Sequence, residues 1–186
     1  MATRDDIITA LLNLSEEKGF SNVSLSDVAQ EIGIRKASLY SHFESQQAMV
    51  DAMVGFCQNE LQNRSFTVDF KAKDAQSLLE SLLDSVLSTF TEPPLSSFFS
   101  IVEQQRLFDD RFAKLHRSIV SMIAARVRVA LEFCIQRSWL DINDTDIASD
   151  YFTSAVMECL CNVIAGTGDA SWELDRLIDG LIGLFG

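Results

Sequence analysis

The chain is poor in the residues that interrupt helices: of its 186 residues only two are proline, the adjacent Pro93 and Pro94, and only eight are glycine. Apart from Gly55 and Gly180, both types fall between, or near the ends of, segments with helical apolar spacing, so the breaks come where the chain turns. No segment alternates apolar and polar residues with a strand's period, and no repeat or low-complexity tract occurs, which leaves all-α as the expected fold class. There is no run of eighteen apolar residues and no charged-then-apolar leader pattern, so neither a membrane partner nor export is expected, and the expected location is cytoplasmic. The two histidines, His42 and His116, lie in different segments and no glycine-rich phosphate cradle is present. A His-centred triad, a metal site, a cofactor site and an enzyme are therefore not expected. Asp109-Asp110 and Asp144 with Asp146 fall at helix starts, where carboxylates favour the helix dipole more readily than they serve acid–base catalysis. The four cysteines, Cys57, Cys134, Cys159 and Cys161, stand in apolar helical segments without CxxC pairing and read as reduced, buried small hydrophobes. Cys159 and Cys161 are about 200° apart on a helix and cannot face one metal.

Positive charge is scarce as well. Fifteen lysines and arginines against 27 acids leave a net charge of −12, which weighs against generic nucleic-acid binding. Residues 1–46 are also acidic: Arg4, Lys18, Arg35 and Lys36 face Asp5, Asp6, Glu16, Glu17, Asp27, Glu31 and Glu44. Two of those four cations are adjacent, however, and most of the acids belong to the segments before them. How charge is distributed, more than its sum, governs approach to DNA.

What the chain has is apolar residues, 47% of the total, enough to bury a substantial core. A first helix is predicted from about Arg4 to Lys18, with Ile7, Ile8, Leu11, Leu12 and Leu14 at helical spacing and Gly19 as its stop. Ser24 then caps a second helix, with Asp27 three residues on approximating a capping box, and Gly33 makes the turn that follows. Residues 34–43 read as the second helix of a helix-turn-helix, the one that reads DNA. Stepping 100° per residue from Lys36 puts Leu39 at about 300° and Phe43 at about 340°, a shared apolar face expected in the core. Ala37, Ser38 and Ser41 fall between about 100° and 200°, small enough for the backbone to approach base edges in a major groove. Lys36, Tyr40 and His42 flank them, placed to reach phosphates. The candidate DNA-binding residues are Ser24, Arg35, Lys36, Ala37, Ser38, Tyr40, Ser41 and His42.

Thr3-Arg4 followed by Ile7, then Gly19-Phe20, Ser24, Asp27-Val28-Ala29, Gly33-Ile34, Lys36, Leu39-Tyr40 and His42-Phe43-Glu44-Ser45 stand at a recognisable joint spacing. Over roughly the first fifty residues the chain resembles the N-terminal domain of TetR-type transcriptional regulators. The resemblance implies a three-helix helix-turn-helix DNA-binding domain over residues 1–46 and a helical effector-binding and dimerisation domain over residues 47–186. It further implies a repressor that binds a pseudo-palindromic operator as a homodimer and is released by a small-molecule effector. Two positions depart from the family: Ser15 stands where an aromatic is usual, and Gln46 where a lysine is usual, so fewer phosphate contacts are expected. Two alternatives share the fold, a thiol-based redox-responsive regulator and a protein-interaction module that has lost DNA binding.

Downstream, Ser45 caps a long helix to about Asn63, expected to join the two domains and to offer its N-terminus to one phosphate. Residues 64–74 read as a connection. Leu78, Leu79, Leu82, Leu83, Val86, Leu87 and Phe90 mark a helix that Pro93-Pro94 ends, and further helices are predicted from Ser97 to Phe108 and from Asp110 to Arg137. On the latter, Arg111, Lys114, Arg117, Arg126 and Arg128 read as a solvated basic face. Phe90, Phe98, Phe99, Phe108, Phe112, Met122, Phe133 and Phe152 are the candidate ligand-pocket residues, and few charged groups share their faces, so an apolar or aromatic effector with one polar handle is expected. From Asn143 or Asp144 onward, Ile147-Ala148, Tyr151-Phe152, Ala155-Val156, Cys159-Leu160 and Val163-Ile164 recur every four residues. That stripe is wider than one core-facing side needs, so part of it is expected to meet a second copy. Gly166-Thr167-Gly168 breaks the helix, and a last one, about Trp172 to Phe185, completes a four-helix interface of the kind the resemblance implies. Candidate dimer residues are Phe152, Val156, Leu160, Val163, Leu174, Ile178, Leu181 and Ile182.

Overall fold

The structure is a computed structural model that describes residues 2–64, 66–168 and 170–185, with the side chains at 170–174 and at 185 outside the description. Among the described residues there are nine α-helices and no strand. Four make the N-terminal head and its link to the body: α1 (Arg4–Lys18), α2 (Leu25–Glu31), α3 (Lys36–Leu39) and α4 (Gln46–Asn63). Five complete the body: α5 (Ala75–Thr91), α6 (Leu95–Gln105), α7 (Asp110–Gln136), α8 (Thr145–Ile164) and α9 (Ala170–Phe185).

Side-chain caps fix most of the starts. Thr3 and Asp6 form a capping box on α1, and Ser24 and Asp27 form the one foreseen on α2. Ser45, Asp74, Asp109 and Asp144 each accept a backbone N–H at the starts of α4, α5, α7 and α8. The paired acids noted in the sequence thus include the caps of the two longest helices. Gly33 has φ of +69° with open space where a Cβ would stand, so glycine is needed there for backbone conformation alone.

Three boundaries differ from the periodicity. The reading helix is one turn long, its continuation being tightened turns over residues 40–42. α6 begins at Leu95, directly after Pro94, and ends at Gln105, three residues short of the predicted end. Phe108 therefore lies in the turn before α7 and is 84% exposed.

A single cluster of buried apolar side chains runs from Ile7 in α1 to Leu181 in α9. In the head, Ile7, Leu11, Val28, Leu39 and Phe43 close the three-helix core; in the body, Leu78, Leu82, Val86 and Phe90 of α5 are fully enclosed. Each such side chain contributes on the order of 1.5–3 kcal/mol by leaving water. Ser15, at the position where an aromatic is usual, is 1% exposed and its Oγ donates to Leu11 O at 2.6 Å, so the buried hydroxyl is satisfied locally.

Polar contacts join head to body. Ser97 Oγ of α6 donates to Glu16 Oε2 of α1 at 2.6 Å, Gln105 Nε2 donates to Ser21 Oγ at 3.1 Å, and Arg111 Nη1 donates to Asp51 Oδ1 at 2.9 Å. Phe20 packs edge-on against Phe112, with ring centroids 5.7 Å apart. No sequence pattern announced these ties, because each joins single polar residues far apart in the chain.

Candidate nucleic-acid interface

The turn between α2 and α3 is closed by backbone hydrogen bonds, Gly33 N donating to Gln30 O at 3.1 Å and Ile34 N to Ala29 O at 2.9 Å, while Ile32 and Ile34 pack against the core. Arg35 is extended (φ −76°, ψ 143°) and caps α3 without using its side chain. Past Leu39 the chain tightens, with Ser41 N bonding Ser38 O and His42 N bonding Leu39 O, before Phe43 N returns to Leu39 O at 2.9 Å. Leu39 and Phe43 are 2% and 4% exposed, so the face read as core is core. Arg4 of α1 lies over the Phe43 ring, 4.5 Å from its centroid, and pins that end of the motif.

On the outer side, Arg35, Lys36, Ala37, Ser38, Tyr40 and Ser41 are all exposed, and His42 is half-buried. Tyr40 is 52% exposed and is not a core aromatic. Two of the candidates are engaged within the head. Ser41 Oγ donates to Ser38 O at 2.6 Å. Ser24 Oγ accepts from Asp27 N and donates to Asp27 Oδ2, so its hydroxyl serves the cap of α2. Those bonds, the Ser24 hydroxyl's first, hold the Asp27 carboxyl at about 2, with the Lys18 ammonium at 3.3 Å adding to the effect. Asp27 is consequently a fixed negative charge beside Ser24, and an approaching phosphate meets its favourable partners farther on, at Arg35 and Lys36. At the start of α4, Ser45 Oγ accepts from Ala48 N at 3.0 Å and Gln46 is exposed.

The other predicted groups are placed differently from one another. Phe90, Phe98, Phe99, Phe112 and Phe152 are at most 1% exposed, while Met122 and Phe133 are half-buried. They divide among separate packing groups: Phe90 meets Phe99 and Phe66, Phe112 meets Phe20, and Phe133 meets Phe70 and Trp139. Phe99 and Phe152 each line an opening between helices, but different ones. Phe108 must be withdrawn from the pocket set, because the early end of α6 leaves it in solvent.

The dimer set needs a larger correction. Phe152, Val156, Leu160, Ile178 and Leu181 are at most 2% exposed within the single chain, so they are its own core. Val163 and Ile182 are half-buried, and the Leu174 side chain lies outside the described residues, as do those of Trp172 and Phe185. Among the described residues, the large apolar side chains that face outward on the last two helices are Ile147, Tyr151 and Leu184, each at least 60% exposed.

Two of the five cations on the basic face of α7 are paired: Arg111 with Asp109 and Asp51, and Arg128 with Glu132 and Asp146. Cys57, Cys134 and Cys159 are buried and Cys161 half-buried. Burial pushes the thiols up, Cys57 to about 12, Cys134 to about 11 and Cys161 to about 11, away from the thiolate that redox chemistry requires.

Residues 7–53 match the family of bacterial regulatory proteins, tetR family. Over 60 residues the chain is 38% identical to the biofilm operon icaADBC HTH-type negative transcriptional regulator IcaR of Staphylococcus aureus (strain Newman), a match that covers 32% of either protein. The chain thus aligns with about a third of the length of that curated relative. Over 131 residues it is 26% identical to the nucleoid occlusion factor SlmA of Vibrio vulnificus (strain YJ016), covering 67% of this chain and 66% of that one. Among solved structures, a transcriptional regulator from Rhodococcus sp. Rha1 superposes with a TM-score of 0.71 at 15% identity, over 98% of this chain and 95% of that one. A putative transcriptional regulator from Saccharomonospora viridis in complex with choline gives 0.71 at 17% identity, over 97% and 94%. At these identities the structures share the fold.

Proposed function

Residues 7–53 are a TetR-type helix-turn-helix domain on an all-helical body, and from that premise we propose that the chain is a transcriptional regulator that binds operator DNA through α3. The observation that carries this reading is the exposed run Arg35-Lys36-Ala37-Ser38, anchored from behind by buried Leu39 and Phe43. It offers two cations for phosphates beside two small residues that let the backbone reach base edges. Among the described residues neither cation has an ion-pair partner. We read the protein as a homodimer whose copies meet along the outward faces of α8 and α9, through Ile147, Tyr151 and Leu184. Reading helices about 34 to 36 Å apart would then match a pseudo-palindromic operator. The similarity to a negative regulator favours repression, and a choline complex in a structural neighbour favours a small-molecule effector bound in the body. The raised thiols argue against the redox alternative.

Selection of operator fragments from random DNA, followed by binding at several salt concentrations, tests the reading. Affinity should fall linearly on a log–log salt scale, by roughly one power per phosphate neutralised. Lys36→Ala should weaken binding equally on all sequences and reduce that slope by about one, whereas Ala37→Phe should abolish selection of the operator. A folded protein with no DNA affinity even at low salt would instead be an interaction module.

A further inference from the structure

Between α6 and α8 lie two openings of about 320 and 290 Å³ that share Glu103 and Cys161 in their walls. Phe99 and Ile164 line the first, with Glu16 of α1 at its edge; Val120 and Met157 line the second, with His116 and Glu158. Glu103 is the unusual group. Its Oε2 accepts from Arg106 Nε at 3.0 Å, whereas its Oε1 is buried and has no donor at full hydrogen-bond geometry, the weakly donating Cys161 thiol being a further neighbour of the carboxylate. His116 Nε2 is 3.2 Å from that oxygen without the alignment of a hydrogen bond. Burial pushes His116 below its ordinary value, with Arg106 and Arg117 adding to the effect against the pull of Glu103, which disfavours the imidazolium as a counter-charge. Buried carboxylate oxygens in folded proteins ordinarily have a donor, and one without asks for it.

We propose that this groove binds a small protonated amine carrying an apolar body, its ammonium donating to Glu103 Oε1 and its body lying over Phe99 and Ile164. Three carboxylates, Glu16, Glu103 and Glu158, line the openings against one guanidinium, Arg106, which favours a cation. The apolar side chains beside the carboxylates, Phe99 and Ile164 in one opening and Val120 and Met157 in the other, favour an organic cation. Arg106 already gives the carboxylate a counter-charge through Oε2, so what Oε1 lacks is a donor, which selects an ammonium with N–H bonds over a quaternary one. Together the openings suit an amine with an aryl or short alkyl body, and the partly apolar lining gives that body its contact. Glu16 Oε2 holds Ser97 Oγ at the groove's head end. An ammonium within reach of Glu16 competes for that carboxylate and loosens α1 from α6. This last step rests on the effector-responsive reading above; the binding site itself does not.

Calorimetry on the full chain at pH 7 with 4-phenylbutylamine, its N,N,N-trimethyl derivative and 4-phenylbutan-1-ol tests the site. The amine should bind at least tenfold tighter than either of the others. Glu103→Gln should erase that preference, and Ile164→Trp, which fills the groove and leaves the carboxylate, should abolish amine binding. Either variant, if it keeps the wild-type near-ultraviolet dichroism and yet binds the amine as the wild type does, overturns the proposal, and so does equal binding of all three compounds. Should Glu103→Gln fail to fold, the Ile164→Trp result and the three-compound ranking on the wild type decide the matter. Operator affinity is measured separately with and without amine. An amine that binds and leaves the operator complex unchanged overturns the coupling through Glu16, whereas a protein that binds the amine but no DNA sinks the regulator reading and leaves the site standing.

Discussion

Leu39 and Tyr40 are neighbours in sequence with opposite duties, one 2% and the other 52% exposed. Leu39→Ala should cost the head about 2–5 kcal/mol, the usual range for a truncated core leucine, and chemical denaturation would show it. Tyr40→Phe removes only an exposed hydroxyl, so the unfolding free energy should stay within about 0.5 kcal/mol of the wild type while DNA affinity falls. The reverse pattern would mean that the reading turn is seated the other way round. Asp27 supports a second prediction. Its folded value is depressed to about 2 by the Ser24 bonds, so its contribution is complete above the ordinary carboxylate value and is lost as pH falls through about 4 towards 2. Asp6, Asp74 and Asp109 are lowered in the same direction by their capping partners, Thr3, Ser77 and Arg111. Thermal melts of wild type and Asp27→Asn should differ most above pH 4 and converge as pH approaches 2. A constant gap across that range would mean that the carboxylate's charge plays no part in the cap.

At the scale of the helix, the wide stripe of α8 shows what periodicity conveys and what it leaves open. In the doublets Ile147-Ala148 and Tyr151-Phe152 the second member is buried and the first is outward. Adjacent residues are about 100° apart, so a stripe two residues wide spans both the chain's own core and a face left over. Nothing in the spacing says which edge is which, and Phe152, Val156 and Leu160 belong to the core edge. Tyr151→Asp should give folded monomers in sedimentation, whereas Val156→Asp should unfold the body, since it buries an unpaired charge. A dimer retained by folded Tyr151→Asp would count against the α8 face. The starts of α1, α2, α4, α7 and α8 were legible because Arg4 follows a capping residue and Ser24, Ser45, Asp109 and Asp144 carry local cap chemistry. The single turn of α3 was not, because the tightening after Leu39 keeps Phe43 on the apolar face and so leaves the pattern intact. The end of α6 was missed for a similar reason: Leu107 and Phe108 continue an apolar run into solvent.

For the molecule as a whole, the reading head was legible in its first fifty residues because caps, glycine turn and core spacing agree there. The arrangement of the body was not, because aromatic residues at helical spacing fill a core as readily as they line a cavity, and the groove at Glu103 depends on residues of α1, α6, α7 and α8 that no local pattern joins. The uninterrupted apolar cluster from Ile7 to Leu181, with its polar ties at Glu16, Ser21 and Asp51, has a thermodynamic corollary. Head and body share a melting unit. Calorimetry should record one endotherm whose van't Hoff and calorimetric enthalpies agree, and two resolved endotherms would mean that the cluster is broken in solution. Excising residues 1–46 would strip the face of α1 that rests on α6, so the severed head should be unable to fold alone, and damage deep in the body would silence DNA binding without any change at the surface that meets DNA.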